Sequence, residues 1–414
     1  MSFVEKIVIN DWKQFSDIEI EFHPQLTILT GANGSGKTTI LNLLGKLVYG
    51  NIQDEIAVPS IDKETGGFKY IPRSLKLIDN VRSNIIGYLK YQDGEFSKIK
   101  IPDYEVGAVY HIELDNIKRI TGAYIPSHRV VFYYQHIPNI STRKIKKSEA
   151  RLTSSSSIIS KLYHDHSSKS TNYFIKETLL NWAISGAGND FIISDKELKE
   201  YFLEFQDILR ITLPKSLGFS KIVIKNYEII FETSTGDFML DAVSGGISAI
   251  IDLVWLIFTS IENKSENVLV IIDEVENHLH ATMQREILPS LIEAFPNVQF
   301  IVSTHSPLII GSVKDSNVYA LRYNSDKRIF NEKLDIVNKA RSANQILDEV
   351  LGVSFTMPVW VEKSLEEITN KYANSEITST IFHQMRNDLK ELGLESLVPL
   401  TMEKIITKIN DQNK

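Results

Sequence analysis

The residues Gly31–Thr38, with the sequence GANGSGKT, form a complete GxxxxGK[ST] phosphate-loop motif. Backbone N–H groups in such a loop can turn inward on a triphosphate, and the following helix start adds a favourable partial charge. Lys37 can reach the β- and γ-phosphates as a point charge, and the Thr38 hydroxyl is placed to bind Mg²⁺. The motif thus predicts ATP and Mg²⁺ as cofactors. The nucleotide-binding residues predicted here are Asn33, Gly34, Ser35, Gly36, Lys37, Thr38 and Thr39.

Two adjacent acids, Asp273 and Glu274, follow the apolar run Val268–Ile272. Such a run predicts a strand buried on both faces of a parallel sheet, and ligands bind at the carboxyl ends of these strands. Asp273 can hold Mg²⁺ directly or through water, and Glu274 can accept a proton from the water that attacks the γ-phosphate. The alternative is an ordinary acidic loop, which the accompanying phosphate loop disfavours.

His305 follows another apolar run, Phe300–Val302. An imidazole at this position can hydrogen-bond the γ-phosphate and so report whether ATP is intact. A satisfied structural histidine is the alternative. The predicted catalytic residues are therefore Glu274 and His305.

The turn Ser244-Gly245-Gly246 precedes an apolar segment at residues 247–261. A serine followed by two glycines at a helix start offers a hydroxyl and bare N–H groups to an anion. Ser244, Gly245 and Gly246 therefore complete the predicted nucleotide-binding set. Taken alone, the tripeptide indicates no more than a turn. Its position before Asp273 in the sequence is what supports a role in nucleotide binding.

Hydrophobic periodicity indicates the elements that must position these groups. Residues 3–50 have the pattern of strand, strand, phosphate loop and helix, with Leu26–Thr30 as the buried strand before the loop. Further β-like runs occur at Ala108–Leu114 and Val130–Tyr134, and an antiparallel subdomain is expected from the first of them. Helical patterns follow near residues 173–210, and a strand pair near 221–231. The spacing of Ile377, Ile381, Met385 and Leu389 predicts a tail helix capped at Ser375.

Between residues 139 and 169 the composition becomes basic and rich in serine. Its basic residues are Arg143, Lys144, Lys146, Lys147, Arg151, Lys161 and Lys169. We expect a mobile loop, either as plain solvated surface or as a local grip on phosphate groups such as those of DNA. With a net charge of -7, the chain carries no general basic coat, so any DNA contact must be local.

The 414 residues include no cysteine, which excludes disulfides, thiolate metal sites and cysteine nucleophiles. The chain shows no basic start followed by an apolar signal core. Its longest apolar stretch, Ile247–Ile261, contains Asp252 and is shorter than the roughly 20 residues that a bilayer requires. We therefore expect a cytoplasmic protein with no membrane contact.

This ordered set of motifs resembles the ABC-type ATPase head. In that family the Ser-Gly-Gly turn of one subunit completes the ATP site of another, which implies that Ser244, Gly245 and Gly246 act in trans. The resemblance further implies a head-to-head dimer or a higher even oligomer, with Asn277–His280 as the loop that faces the partner. A glutamine ligand for the metal is also implied, for which Gln135 is the candidate beside Thr38 and Asp273. The family often has aspartate where this chain has His280, which puts the coupling between sites in question.

Three sequence motifs are similar to those of OLD-like and RecF-like ATPases. They are DEVENHLH at Asp273–His280, STHSP at Ser303–Pro307, and the segment Tyr124–Arg129. Long coiled-coil arms are excluded, because too few residues separate the two halves of the head. Beyond His305 no convincing metal-dependent nuclease lobe follows. The chain therefore resembles the ATPase subunits of Septu-type or PARIS-type anti-phage systems, which implies an effector nuclease or toxin as partner.

The predicted fold class is α/β: a P-loop ATPase head with a mostly parallel core sheet, an antiparallel β subdomain, a helical insertion and C-terminal helices. We expect the first half of the head at residues 1–135, the insertion at 136–220, the second half at 221–335, and a partner-docking helical tail at 336–414. The predicted function is a slow ATPase that regulates a separate effector in defence against phage, with DNA or a phage component as an open trigger. The alternatives are a RecF-like DNA-repair ATPase and a nucleotide-gated oligomeric scaffold.

Overall fold

This computed structural model describes residues 3–50, 54–61, 66–70, 72, 77–78, 81–82, 84–102, 104, 106–129, 132–162, 169–263, 267–335, 359–372 and 378–412. The chain divides into two compact units, Met1–Ile346 and Leu347–Lys414. Every residue predicted for the nucleotide site lies in the first unit. The boundaries expected within that unit, at residues 135 and 220, remain predictions.

The strands of the first unit are β1 (Val4–Ile9), β2 (Ile18–Glu21), β3 (Leu26–Gly31), β4 (Glu55–Ile56), β5 (Pro59–Ile61), β6 (Phe68–Tyr70), β7 (Leu77–Ile78), β8 (Val81–Arg82), β9 (Ile85–Tyr91), β10 (Phe96–Lys100), β11 (Val109–Tyr110), β12 (Glu113–Asp115), β13 (Gly122–Ile125), β14 (Phe219–Lys225), β15 (Glu228–Thr233), β16 (Phe238–Met239), β17 (Val268–Ile272), β18 (Val298–Thr304), β19 (Asn317–Tyr323) and β20 (Ile329–Lys333). Its helices are α1 (Lys37–Tyr49), α2 (Lys147–Leu162), α3 (Thr171–Ala187), α4 (Lys196–Thr212), α5 (Gly245–Ser260), α6 (Ala281–Ala294) and α7 (Pro307–Ile310). The second unit contains α8 (Val359–Tyr372), α9 (Ser379–Glu391) and α10 (Val398–Gln412).

A six-stranded sheet positions the predicted site, in the order β13-β17-β18-β3-β19-β20. Its first five strands pair in parallel, and only β20 is antiparallel to its neighbour. Every residue of β3, β17 and β18 is buried, as their apolar composition requires. Because parallel strands end at the same edge, the residues that follow these three strands meet there.

A second, antiparallel sheet has the order β12-β10-β9-β1-β2 and shares one hydrophobic core with α1 and the six-stranded sheet. The remaining strands form small sheets that pair β4 with β11, β5 with β6, β7 with β8, and β14 to β16 in sequence. The predicted mostly parallel core sheet, antiparallel subdomain, helical insertion and C-terminal helices are thus confirmed, and with them the α/β fold class.

Two β-like runs differ from their predictions. Ala108–Leu114 divides into β11 and β12, which belong to different sheets. Of the run Val130–Tyr134, Val130 and Val131 lie outside the described residues, and Phe132–Tyr134 is irregular backbone. Phe132 is buried, whereas Tyr133 and Tyr134 are exposed and form hydrogen bonds with Asn172 and Glu228.

The segment at residues 139–169 contains a helix where we expected a mobile loop, so this prediction is wrong for Lys147–Leu162. Ala150 and Ser154 are buried, and Trp255 Nε1 on α5 donates a hydrogen bond of 3.2 Å to Ser154 Oγ. The serine-rich sequence has little helical signal of its own. The buried face that stabilises it is completed by α5, which is distant in sequence.

The second unit is helical, as the tail was predicted to be. Leu365, Met385 and Leu389 are buried in its core. The helix α9 begins at Ser379, and Thr378 Oγ1 accepts a capping hydrogen bond from Ile381 N. The predicted cap Ser375 and the first position of the pattern, Ile377, lie outside the described residues. Within the described ranges, no helix has the length and apolarity needed to cross a membrane.

Candidate active site

The phosphate loop leaves β3 and enters α1 through left-handed backbone at Gly34 and Gly36, with φ values of 79° and 85°. A Cβ atom added to Gly36 would lie 2.3 Å from Phe15 Cζ, and one added to Gly31 would lie 2.4 Å from Leu321 O. Backbone conformation therefore favours glycine at Gly34, and at Gly31 and Gly36 the lack of space for a Cβ requires it as well. The strand–loop–helix context that the motif needs is present.

Gly36→Ala is expected to lower the free energy of unfolding by more than the roughly 1–2 kcal/mol that left-handed backbone alone costs a non-glycine residue. The excess arises because Phe15 is buried and packs against Trp12, so that moving its ring away from an added Cβ would disrupt this packing. Gly94→Ala is the matched control, because Gly94 has the same φ of 86° with nothing within 4 Å of an added Cβ. In denaturant unfolding, Gly94→Ala should lose only the conformational cost and Gly36→Ala should lose more, and nucleotide binding should be impaired only in the Gly36 variant. Equal losses in the two variants would show that the Phe15 contact is not limiting.

Lys37 is 5% exposed, and its Nζ donates hydrogen bonds to Gly31 O at 3.0 Å and Ala32 O at 3.1 Å. Burial lowers the pKa of the Lys37 ammonium to about 8, against the opposing attraction of Asp273 and Glu274. The Ser35 hydroxyl in the same loop is buried and has no hydrogen-bond partner among the described residues. A buried cation beside an unpartnered hydroxyl fits an anionic ligand such as a triphosphate.

The Thr38 hydroxyl meets the acid at the end of β17: Thr38 Oγ1 donates to Asp273 Oδ2 at 2.9 Å. Ser303 Oγ donates to Asp273 Oδ1 at 2.5 Å and so orients the carboxylate. One hydroxyl and one carboxylate suit Mg²⁺, which keeps several waters and takes few protein ligands. The described residues contain no cluster of three or more His, Cys, Asp or Glu side chains that could hold a metal alone.

The side chain of Gln135, the third residue of the predicted metal set, hydrogen-bonds with Ser170, and its role as a metal ligand stays a prediction. Its Oε1 accepts hydrogen bonds from the Ser170 backbone N–H, at 3.0 Å, and from Ser170 Oγ. Its backbone oxygen accepts a hydrogen bond from Lys176 Nζ at 3.1 Å. The Gln135 amide oxygen is thus engaged at the start of α3, which no local sequence signal indicated.

Glu274 has an unusual backbone, with φ of 47° in the left-handed region. Its N–H donates to Ser303 Oγ at 2.8 Å, and its Oε2 accepts a hydrogen bond of 2.8 Å from Asn277 Nδ2. Asn277 Nδ2 also donates to Ser127 O at 2.9 Å. The turn after β17 therefore holds both the backbone and the carboxylate of Glu274, as a positioned proton acceptor requires.

Arg129 stabilises the turn after β17 by binding its carbonyl groups, a role that we did not predict from the sequence. Its Nη2 lies within hydrogen-bond distance of three carbonyl oxygens, those of Glu274 at 2.8 Å, Val275 at 3.3 Å and Asn277 at 3.3 Å. The side chain is 8% exposed. The Tyr124–Arg129 motif was noted only as part of a family resemblance, and the carbonyls that it meets are far away in sequence.

Arg129→Lys is expected to lower kcat roughly 10–100-fold with little change in KM, because a misplaced catalytic group costs rate more than binding. A lysine keeps the charge, but its side chain is shorter than that of arginine, so its ammonium does not reach the position of Nη2 among the three carbonyls. Steady-state ATP turnover measures the effect, and Arg285→Lys on the exposed surface of α6 is the control. An unchanged kcat in the Arg129 variant would contradict the positioning role.

His305 lies where β18 ends, and its backbone N–H donates to Glu276 Oε1 at 2.5 Å. Burial and the nearby Lys37 ammonium lower the pKa of the imidazole below its usual value. His305 is therefore neutral at physiological pH, and one ring nitrogen can donate a hydrogen bond without adding charge. The structure thus places His305 near Lys37 and the acids that follow β17.

The Ser-Gly-Gly turn lies at the start of α5, with Ser244 at the N-cap position. Ser244 is exposed, and a Cβ added to Gly246 would lie 3.1 Å from Met283 Sδ and 3.2 Å from His278 O. Among the described residues, no hydrogen bond joins Ser244, Gly245 or Gly246 to Gly31–Thr38. His278 and His280 are exposed beside this turn. This arrangement is compatible with the predicted use of the turn by another subunit.

A cavity of about 620 Å³ adjoins the phosphate loop at Gly34, Gly36 and Thr39. Its apolar walls include Trp12, Phe15, Val58, Pro59, Tyr110 and Ile329. Arg328 Nη2 donates to Phe15 O and pairs with Asp11, which holds the loop between β1 and β2 against the cavity. We did not predict this cavity, although the aromatic residues Trp12 and Phe15 in a short loop were a signal.

A family model described as "AAA domain, putative AbiEii toxin, Type IV TA system" matches residues 26–311. The chain belongs to this family of AAA-domain ATPases. The Septu protein PtuA of Bacillus thuringiensis is 24% identical to it over 395 residues, which cover 89% of this chain and 90% of that protein. The Retron Vc95 probable ATPase of Vibrio cholerae serotype O1 biovar El Tor is 25% identical over 384 residues, which cover 76% of this chain and 72% of that protein. The predicted resemblance to ATPases of anti-phage systems is thereby confirmed.

Among solved structures, the SMC head domain from Thermotoga maritima is similar, with a TM-score of 0.43 and 14% sequence identity. The match covers 80% of this chain and 99% of that domain. A further SMC head, bound to the C-winged helix domain of ScpA, has the same TM-score of 0.43.

Proposed function

We propose that this chain binds and slowly hydrolyses ATP between paired heads, and that its nucleotide state controls a separate effector in bacterial anti-phage defence. The observation that carries the proposal is the 2.9 Å hydrogen bond from Thr38 Oγ1 to Asp273 Oδ2, beside a Glu274 whose carboxylate is held by Asn277. Membership of the AAA-domain family supports the ATPase part. The similarity to a Septu protein and to a retron ATPase supports the defence part.

Residues Asn33–Thr39 bind the phosphates through backbone N–H groups and through Lys37. Thr38 and Asp273 hold Mg²⁺, which, when bound, neutralises charge on the β- and γ-phosphates. Glu274 takes the proton from the attacking water, and His305 hydrogen-bonds the γ-phosphate. The cavity lined by Trp12 and Phe15 is wide and apolar enough for the adenine base.

We infer that two heads are needed, because in the described part of the chain no hydrogen bond joins the Ser-Gly-Gly turn to its own phosphate loop. The exposed Ser244 and the N–H groups at the start of α5 suit an anion presented by a second copy. The exposed loop at His278 and His280 lies beside them and faces the partner in the same arrangement. The assembly is therefore a dimer of heads or a higher even oligomer.

The effector is a nuclease or toxin encoded separately, and the helical unit at Leu347–Lys414 is its docking surface. This step rests on the resemblance to defence ATPases. In this arrangement ATP binding and hydrolysis switch the heads between two states, and the effector responds to the state of the heads.

A RecF-like role in DNA repair receives less support. Four of the basic residues expected to grip DNA form ion pairs within the chain: Arg143 with Glu149 at 3.5 Å, Lys144 with Asp195, Lys146 with Glu197 at 3.9 Å, and Lys147 with Glu204 at 2.9 Å. These charges are partly neutralised before any phosphate approaches. We therefore do not advance DNA binding as the primary function.

The test is ATP turnover by the purified chain, with and without the nuclease or toxin encoded beside its gene. We expect Mg²⁺-dependent phosphate release, ATP-dependent pairing of heads in light scattering, and co-purification with the effector. Lys37→Met is the control, since it removes the phosphate-binding ammonium while keeping the side-chain length. Absence of turnover in the full chain and its complex would overturn the enzymatic proposal, and DNA-stimulated turnover without an effector would favour the RecF-like alternative.

A further inference from the structure

Lys176 on α3 is a buried cation that the proposed chemistry does not use. It is 1% exposed, and its Nζ donates hydrogen bonds to Asp241 Oδ2 at 2.7 Å and to Gln135 O at 3.1 Å. It also forms an ion pair with Glu228 at the start of β15, and the Tyr134 ring lies 4.9 Å from its Nζ. A buried ammonium is stable only where carboxylates and carbonyls compensate it, so these partners are held closely.

Asn172, one turn earlier on α3, strengthens the same cluster. Its Nδ2 donates to Asp241 Oδ1 at 2.5 Å and to Tyr133 O at 2.8 Å. Asn172 is fully buried, and Asp241 is 7% exposed. The first two turns of α3 thus tie together two irregular segments, the one at Tyr133–Gln135 and the one that contains Asp241.

The Asp241 segment leads directly to the Ser-Gly-Gly turn. Asp241 belongs to a 3-10 turn, Leu240–Ala242, and Ser244 follows as the cap of α5. Leu240 and Val243 are buried while Ser244 is exposed. The position of the exposed serine is therefore set by an anchor only three residues away.

The other segment leads back to the chain's own catalytic turn. Ser127 O accepts a hydrogen bond from Asn277, and Arg129 bonds the carbonyl of Glu274, both in the stretch before Tyr133. Lys176 thus contacts two segments. One contains Gln135 and follows the residues that bind the Glu274 turn, and the other contains Asp241 and precedes Ser244. Packing of the α3 start is the physical link between the two.

We propose that Lys176 is a positioning residue for the Ser-Gly-Gly turn, which it holds through Asp241 in the orientation that a second subunit's ATP requires. This inference rests on the proposed function, because it needs the turn to act in trans. Lys176 does not touch the nucleotide of its own subunit. Its loss therefore damages the site of the partner and leaves its own phosphate loop intact.

The test mixes two defective variants of the full chain. Lys176→Met keeps the aliphatic stem but removes the ammonium, and Lys37→Ala removes the phosphate-binding ammonium but keeps an intact Ser-Gly-Gly turn. Alone, we expect Lys176→Met to lower kcat at least tenfold with nearly unchanged affinity for an ATP analogue. Mixed with Lys37→Ala, it should regain turnover, because its intact phosphate loop is completed by the intact turn of the other variant.

The reference mixture is Ser244→Ala with Lys37→Ala. Ser244→Ala removes the exposed hydroxyl without filling the space between paired heads, so its low turnover alone and its recovery in the mixture report directly on action in trans. If this reference fails to regain turnover, the proposed two-head mechanism is wrong and the inference falls with it. If the reference regains turnover and the Lys176→Met mixture does not, the inference alone is wrong. Wild-type turnover of Lys176→Met by itself would equally overturn it.

Removing one partner of a buried ion pair can prevent folding, so Lys176→Met/Asp241→Asn serves as the second variant. It removes the charges of Lys176 and Asp241 together, so that the cluster with Glu228 keeps the net charge of the wild type. We expect it to recover the thermal midpoint, while kcat stays low for the variant alone and is restored in the mixture. Recovery of the midpoint together with kcat, without mixing, would show that Lys176 has only a structural role. Failure of both variants to fold would have the same meaning.

Discussion

Glu274→Gln is expected to lower ATP turnover about 10²–10⁴-fold while nucleotide binding is retained. The amide has nearly the shape of the carboxylate, and its oxygen can still accept the 2.8 Å hydrogen bond from Asn277 Nδ2. The backbone contacts with Ser303 and Arg129 are unaffected because they involve the N–H and C=O groups. Only the capacity to accept a proton is lost. Phosphate release at saturating ATP and equilibrium binding of a fluorescent ATP analogue measure the two quantities separately.

The matched control for this variant is Glu286→Gln, at an exposed position on α6. It makes the same chemical change without touching the turn after β17, and we expect wild-type turnover and binding. Unaltered turnover in the Glu274 variant would show that another group is the base. Loss of binding together with turnover would instead indicate that Glu274 maintains the shape of the site.

Ser244→Arg is expected to abolish ATP-dependent pairing of heads and to lower turnover by roughly 100-fold or more, the scale of losing one preorganised donor. Ser244 is exposed and caps α5, so a large side chain there need not disturb the core of its own subunit. It would fill the space in which a second copy presents its nucleotide. Light scattering with and without ATP measures pairing, and steady-state phosphate release measures turnover.

Ser220→Arg on β14 is the control for Ser244→Arg, since it places the same side chain at another exposed serine. We expect that control to pair and to hydrolyse ATP as the wild type does. If the Ser244 variant also pairs and hydrolyses normally, the turn does not take part in catalysis in trans. Retained affinity for a monomer-bound ATP analogue is expected in both variants, because neither change touches the phosphate loop.

The sheet was predictable because its strands carry unusually strong patterns. The runs at Leu26–Thr30, Val268–Ile272 and Phe300–Val302 are continuous and apolar, which is typical of strands buried on both faces. Each run is followed by residues that can do chemistry. Because the three strands pair in parallel, those residues meet at one edge of the sheet. The strand before the phosphate loop, β3, accordingly lies between two neighbours in the sheet, β18 and β19.

Where a segment depends on distant partners, local patterns were misleading. The serine-rich stretch forms α2 because Trp255 and the rest of α5 complete its buried face, not because its own composition favours a helix. The hydrogen bonds that the Gln135 amide oxygen accepts from Ser170 likewise had no signal in the local sequence. Arg129 was part of a motif without a role until the carbonyls around Glu274 were found beside it.

By itself, the sequence determined the phosphate loop, since eight neighbouring residues carry its glycines, its ammonium and its hydroxyl in one stretch. Only the tertiary structure decided which distant groups those residues meet. Thr38 and Asp273 are 235 residues apart, Arg129 and Glu274 are 145 apart, and Lys176 and Asp241 are 65 apart. The reason is physical: backbone conformation follows from local sterics, whereas hydrogen bonds between buried side chains depend on how separate elements pack.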